Sequence, residues 1–166
     1  MPDRITDTPI DAEVPEIPEI LHQVLSWCID DARHRMEAGE EIVPFTALVA
    51  GDTLFTEEHV ADEPEECYDK ARTTVEHAQG AAAYVFCYDG YINLDTDMLD
   101  AIIAEGGVPG EEVGQAIGLV YSIEEGGRVE FAEDPVYLGE SPNFMADLDP
   151  NDIVEDFESF NEDSEE

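Results

Sequence analysis

AAAYVFCYDGYINL, residues 81–94, is the most strand-like stretch of the chain, and its reading decides the fold. Tyr84, Phe86 and Tyr88 alternate with Val85 and Cys87, so one face of a strand here carries rings and the other small apolar groups. Such rings line a pocket or an interface, or more commonly pack beneath a helix. Asp89-Gly90 carries the chemistry of a two-residue turn and predicts a hairpin between Ala82–Tyr88 and Tyr91–Leu94.

Toward the C-terminus, MLDAIIAE (98–105) fits a short helix or a strand. Its length and the Gly106-Gly107 stop favour the strand. AIGLVYSI (116–123) and RVEFAEDPVYLG (128–139), joined by Glu124-Glu125-Gly126-Gly127, read as a further hairpin. The segment GGVPGEEVG (106–114) reads as a mobile connection between strands. Gly110, Gly114 and Gly118 are four apart, but glycine in a helix costs about 1 kcal/mol relative to alanine. Strand bulges that admit another backbone are the better expectation.

Toward the N-terminus, a helix is expected after Asp62 or Glu63, with Pro64 in its first turn and Gly80 beyond its end. Its stripe of Cys67, Ala71, Val75 and Ala78 is thin, so it must lie close against a sheet. Before it, Val43–Val49 and Thr53–Val60 flank Gly51-Asp52 and predict a hairpin. A long amphipathic helix is predicted over about 16–38 from Ile17, Ile20, Leu21, Val24, Leu25, Cys28, Ala32 and Met36, with Gly39 as its stop.

The order α-β-β-α-β-β-β-β, rich in hairpins, predicts an α+β fold: a mainly antiparallel sheet of about five to six strands with two main helices packed on it. At the level of element order this is similar to profilin-like and roadblock-type domains. No motif carries that likeness, and a fold alone does not settle a function. Residues 1–15 are expected to form a mobile arm, 16–145 a single domain, and 146–166 an acidic tail. The last twenty residues hold ten acids and no base. Asp149-Pro150 there can cap a short helix, with Ile153, Val154, Phe157 and Phe160 along one side. Those four either latch the tail onto its own domain or dock in a partner's groove.

Charge is the anomaly of this chain. Among 166 residues, 43 are Asp or Glu and 6 are Lys or Arg, giving a formal net charge of -37, yet 43% are hydrophobic, so a core is expected. Lys70 is the single lysine; Arg4, Arg33, Arg35, Arg72 and Arg128 are the other cations. Such self-repulsion opposes compaction in dilute buffer. At about 1 M salt the Debye length falls to about 3 Å and screens it. The composition resembles that of proteins from salt-in halophiles such as haloarchaea. The competing reading is a protein that imitates the phosphate charge of DNA.

The remaining chemistry is sparse. Asp30, Asp31, Glu66 and Glu76 stand at helical spacing from Arg33, Arg35, Lys70 and Arg72, so these cations are committed locally and leave no basic patch for nucleic acid. The glycine-rich segment contains neither GxGxxG nor GK[ST]. Cys28, Cys67 and Cys87 sit in apolar stretches as expected buried free thiols. His22, His34, His59 and His77 show no metal-ligand spacing, although His59, His77 and a cysteine could be assembled by the fold. Asp89, Asn93, Asp95, Asp97 and Asp100 could attract a hard cation, but a solvated turn is the default. No apolar run nears 18 residues and no leader pattern opens the chain, so a cytoplasmic, non-membrane protein is expected. The expectation is a non-enzymatic protein-binding or accessory module without cofactor, partnered by another protein or by itself through a sheet edge or the first helix. The alternatives are a DNA-mimic inhibitor and an enzyme whose carboxylate site the sequence order conceals.

Overall fold

The computed structural model describes residues 17–94 and 97–153. Two helices, α1 (Glu19–Glu37) and α2 (Pro64–Glu76), accompany strands β1 (Phe45–Ala50), β2 (Thr53–Glu58), β3 (Ala83–Leu94), β4 (Asp97–Gly107), β5 (Val113–Ile123), β6 (Val129–Phe131) and β7 (Val136–Pro142). The seven strands form one sheet in the order β2-β1-β3-β4-β5-β6, with β7 also on β5. All neighbours are antiparallel. This is the expected α+β fold. The extra strand arises because 128–139 breaks in two: Val129–Phe131 pairs with the end of β5, and after Pro135, which lacks an N–H, Val136–Pro142 pairs with its beginning.

Residues 89 and 90 are the main correction. Asp89-Gly90 is no turn: the ladder runs through it, with Asp89 opposite Ile102 and Gly90 opposite Ala101, and β3 meets β4 as far as Leu94 opposite Asp97. Gly90 serves packing instead. A Cβ there would lie 2.8 Å from Cδ1 of Ile103, so that side chain would have to shift to admit any other residue. The Gly51-Asp52 turn is present as expected, with Ala50 opposite Thr53 and Gly51 at φ 62°.

Alternation in β3 serves two cores. Val85 and Cys87 face α1 with Leu21, Val24, Leu25, Cys28, Ile102 and Leu119. Tyr84 and Phe86 face α2 with Cys67, Ala71, Val75, Phe144 and Met145. The small stripe of α2 packs on these rings, and the helix backbone comes nearest to β1. All three cysteines are free and buried. Burial raises the Cys28 and Cys87 thiols well above the ordinary range, which keeps them protonated.

The local ion pairs expected on the helices form for Asp30–Arg33 (3.5 Å), Asp31–Arg35 (3.0 Å) and Arg72–Glu76 (3.9 Å). Arg35 also reaches Glu58 at 3.1 Å, fastening α1 to β2. Lys70 departs from expectation: its Nζ donates to the Val60 carbonyl at 2.9 Å rather than pairing with Glu66.

The glycine-rich 106–114 segment is pinned rather than mobile. Asn143 Nδ2 donates to the carbonyls of Val108 (2.9 Å) and Glu111 (2.8 Å), while its Oδ1 accepts from Met145 N (2.9 Å). Gly106 and Gly114 do admit close backbone, because a Cβ at Gly106 would overlap the Tyr84 carbonyl and one at Gly114 the Gly106 carbonyl. Gly110, at φ 84°, turns the connection, and the β-bulge lies between Ala116 and Ile117 in the β5–β7 pairing. Among the described residues no helix is long and apolar enough to cross a membrane.

Candidate functional site

The rings of Tyr84, Phe86 and Tyr88 are spaced by two along β3 and run out from under α2. At the closed end Tyr84 stacks on Phe144, with centroids 5.2 Å apart and planes at 14°. Its hydroxyl accepts from Phe144 N (3.0 Å) and donates to the Pro142 carbonyl (3.2 Å), sealing the core. At the other end α2 has yet to begin. Pro64 starts it where a missing N–H costs nothing.

A cleft of about 520 Å³ opens there, lined by Pro44, Ala61, Cys67, Tyr68, Phe86 and Tyr88 together with the acids Asp62, Glu63, Glu65 and Asp89. Phe86 meets Tyr88 at 5.1 Å with planes tilted by 39°. Tyr68 meets Phe86 edge-on at 6.2 Å and 70°. Three rings thus present differently oriented surfaces to one space.

Glu105 does not line the cleft but stands beside its rings, and it was not singled out by the sequence reading. It stands opposite Phe86 in β4, half-buried on the ring-bearing face. Tyr88 Oη donates to its Oε2 at 2.7 Å. Burial raises the Glu105 carboxyl above its ordinary pKa, opposed by the Tyr88 hydrogen bond. The Tyr88 and Tyr68 phenols are raised as well, first by burial and then by the Glu105 charge. The available signal was parity: Glu105 is the acid in the inward series with Ala101 and Ile103, recognisable once 98–105 is a strand.

Behind the cleft, His59 is 2% exposed. Its ring lies 6.3 Å from Phe86, edge-on, and its Nε2 shares a 2.6 Å hydrogen bond with Thr46 Oγ1. Cys67 Sγ donates to the His59 carbonyl at 3.1 Å. Burial lowers the His59 pKa. His77 is elsewhere, at the end of α2 with Nδ1 against the Thr73 carbonyl, so the fold does not assemble His59, His77 and a cysteine.

The Asp89–Asp100 group is drawn out along two strands. Asp89 lies opposite Ile102, Asp100 opposite Tyr91, Asn93 opposite Met98 and Asp97 opposite Leu94. Asp89 Oδ1 accepts from Tyr121 Oη at 2.7 Å. Asp95 lies outside the described residues. Among the described residues no three His, Cys, Asp or Glu side chains are grouped as a metal ion requires. Of the four apolar tail positions, Ile153 is half-buried after the 3-10 turn Pro150–Asp152; Val154, Phe157 and Phe160 lie outside the described residues.

Arg72 shows what these rings attract. Its guanidinium sits 5.7 Å from the Tyr68 centroid and 5.3 Å from that of Phe144. Arg35 likewise stands 5.4 Å over Phe45. No family model, curated protein or solved structure matches the chain.

Proposed function

We propose that this chain is a non-enzymatic binding module for a protein partner, built to work in a cytoplasm of molar salt, and that the cleft at the start of α2 receives the partner. One observation carries this reading: Tyr68, Phe86 and Tyr88 are gathered around about 520 Å³ of open space rather than covered by the helix. An apolar, aromatic cleft with few polar groups is the usual form of a recognition site. Aromatic anchors also dominate the energetics of protein interfaces.

The acid distribution supports the solvent part of the reading over DNA imitation. Exposed carboxylates such as Glu19, Glu57, Asp69, Glu112, Glu130 and Asp149 occupy both helices, an edge strand, loops and turns. A duplex mimic needs its charge arranged along one face.

The test is an NMR screen of the uniformly 15N-labelled chain in 2 M KCl, with small aliphatic and aromatic compounds bearing ammonium, neutral or carboxylate heads as surrogates for partner side chains. Shifts are expected at Ala61, Tyr68 and Tyr88. Binding confined to the separate cleft beside Trp27 and Leu54, or no binding at millimolar concentration, overturns the assignment.

A further inference from the structure

The cleft's chemistry also selects what enters it. Rings attract cations through the negative potential of their faces, most strongly where water is excluded. Here Phe86, Tyr68 and Tyr88 offer edges and faces at 39° and 70° to one another around one space. The lining acids Asp62, Glu63, Glu65 and Asp89 add negative potential, although acids cover the whole chain. Glu105 is different: it is drawn half inside the ring-bearing face and held by Tyr88. A phenol that donates to a carboxylate becomes richer in electrons, which deepens the attraction of its own ring for a cation. The molecule already uses this chemistry on itself, with Arg72 held over Tyr68 and Phe144. The described residues that line the cleft include no Lys or Arg to occupy it from within.

We infer that the cleft receives a lysine or arginine side chain of the protein partner, its aliphatic stem against Phe86 and its charged head between Tyr68 and Tyr88, with Asp89 in the lining and Glu105 acting through its hydrogen bond from Tyr88. This rests on the proposed binding role and adds the partner's chemistry. An anionic group is disfavoured by Glu105 and by Asp62, Glu63 and Glu65. A purely apolar side chain fills the space but forgoes the attraction of rings and carboxylate. Molar salt weakens long-range steering, yet a contact made inside the cleft is screened much less. The selectivity should therefore survive the conditions the composition implies.

Capped pentapeptides of sequence Gly-Leu-X-Leu-Gly, with X lysine, arginine, norleucine or glutamate, separate the possibilities by NMR titration in 2 M KCl. Free n-butylammonium is titrated beside them. The expected result is that lysine and arginine peptides bind the cleft about 3- to 30-fold more tightly than norleucine, with glutamate weakest. In Glu105→Gln and in Tyr88→Leu that preference shrinks, the unperturbed spectrum of α1 and β5 serving as the check on folding. Norleucine binding as tightly as lysine overturns the cation inference while leaving the binding role intact. Peptides that fail to shift the cleft at all overturn both. Free n-butylammonium binding as tightly as the lysine peptide overturns the assignment to a partner's side chain in favour of a small organic cation.

Discussion

Tyr88→Phe removes one oxygen and keeps the ring, so it isolates the hydrogen bond to Glu105. That bond is 2.7 Å long and joins a phenol to a half-buried carboxylate. Hydrogen bonds to charged groups contribute about 1.5–3 kcal/mol, and partial exposure of Glu105 lets water recover part of it. A loss of about 1–2 kcal/mol at pH 7.5 follows, or roughly 2–8 °C in Tm for a chain of this size. The pH dependence gives the sharper test. Glu105 has a folded-state pKa raised by burial and held down by Tyr88. Its ionisation therefore destabilises the fold above the folded pKa, and that effect vanishes below the ordinary value near 4.5. Removing Tyr88's hydroxyl raises the folded pKa further, so the cost of the mutation is full at pH 7.5 and shrinks as the carboxyl protonates. Urea unfolding in 2 M KCl at pH 7.5 and pH 4, with a 13C titration of the Glu105 carboxyl, reads both quantities. A cost equal at the two pH values, or a Glu105 pKa that stays put or falls in the variant, would refute the reasoning.

Gly106→Ala should lose about 2–4 kcal/mol, because its Cβ would overlap the Tyr84 carbonyl between paired strands, an overpacking that backbone must relieve. Gly126→Ala, at φ 87° with open space around it, should lose only about 1–2 kcal/mol; urea midpoints in the reverse order contradict the packing argument. His59→Gln compares a neutral amide with a buried imidazole whose pKa is lowered from 6.5. Protons then favour the unfolded wild type as pH falls through 6.5, so the stability difference between wild type and variant should shrink from pH 7.5 to pH 5.5, and a constant difference contradicts it. Thermal unfolding should rise steeply between about 10 mM and 1 M KCl as the Debye length falls from about 30 Å to about 3 Å; full stability at the low end contradicts the reading of the charge as a response to solvent.

The two helices, their stops and the β1–β2 hairpin were legible because each announces itself locally: apolar periodicity, Pro64 at a start, Gly39 and Gly80 beyond an end, Gly51-Asp52 between two runs. Asp89-Gly90 misled for the same reason. Turn chemistry describes what a dipeptide can do alone, whereas here a strand running six residues beyond Tyr88 extends the β3–β4 ladder to Leu94 opposite Asp97 and gains a site for Ile103. The pinning of 108–111 depends on Asn143, 32 and 35 residues away from its two acceptors, so no local pattern could report it. The cleft was half visible. The alternation of Tyr84, Phe86 and Tyr88 was plain, but which ring α2 covers depends on where the helix begins. Glu105 could be placed among them only through the register of β4 against β3. Lys70 illustrates the limit for charges: helical spacing offered Glu66, while the fold supplied the Val60 carbonyl at 2.9 Å.

Strand β3 gives its odd positions to one core and its even positions to the other. The strand therefore reads like a message with two interleaved texts. Replacing a letter garbles one text and spares its neighbour, but inserting or deleting a letter inside the strand, at Ala83, exchanges the two from there on. Val85 and Cys87 would then confront α2, and the rings would confront α1, with the wrong volumes on both sides. Length in this segment should consequently be guarded more strictly than identity, and any natural variation in the chain's size belongs to the turns.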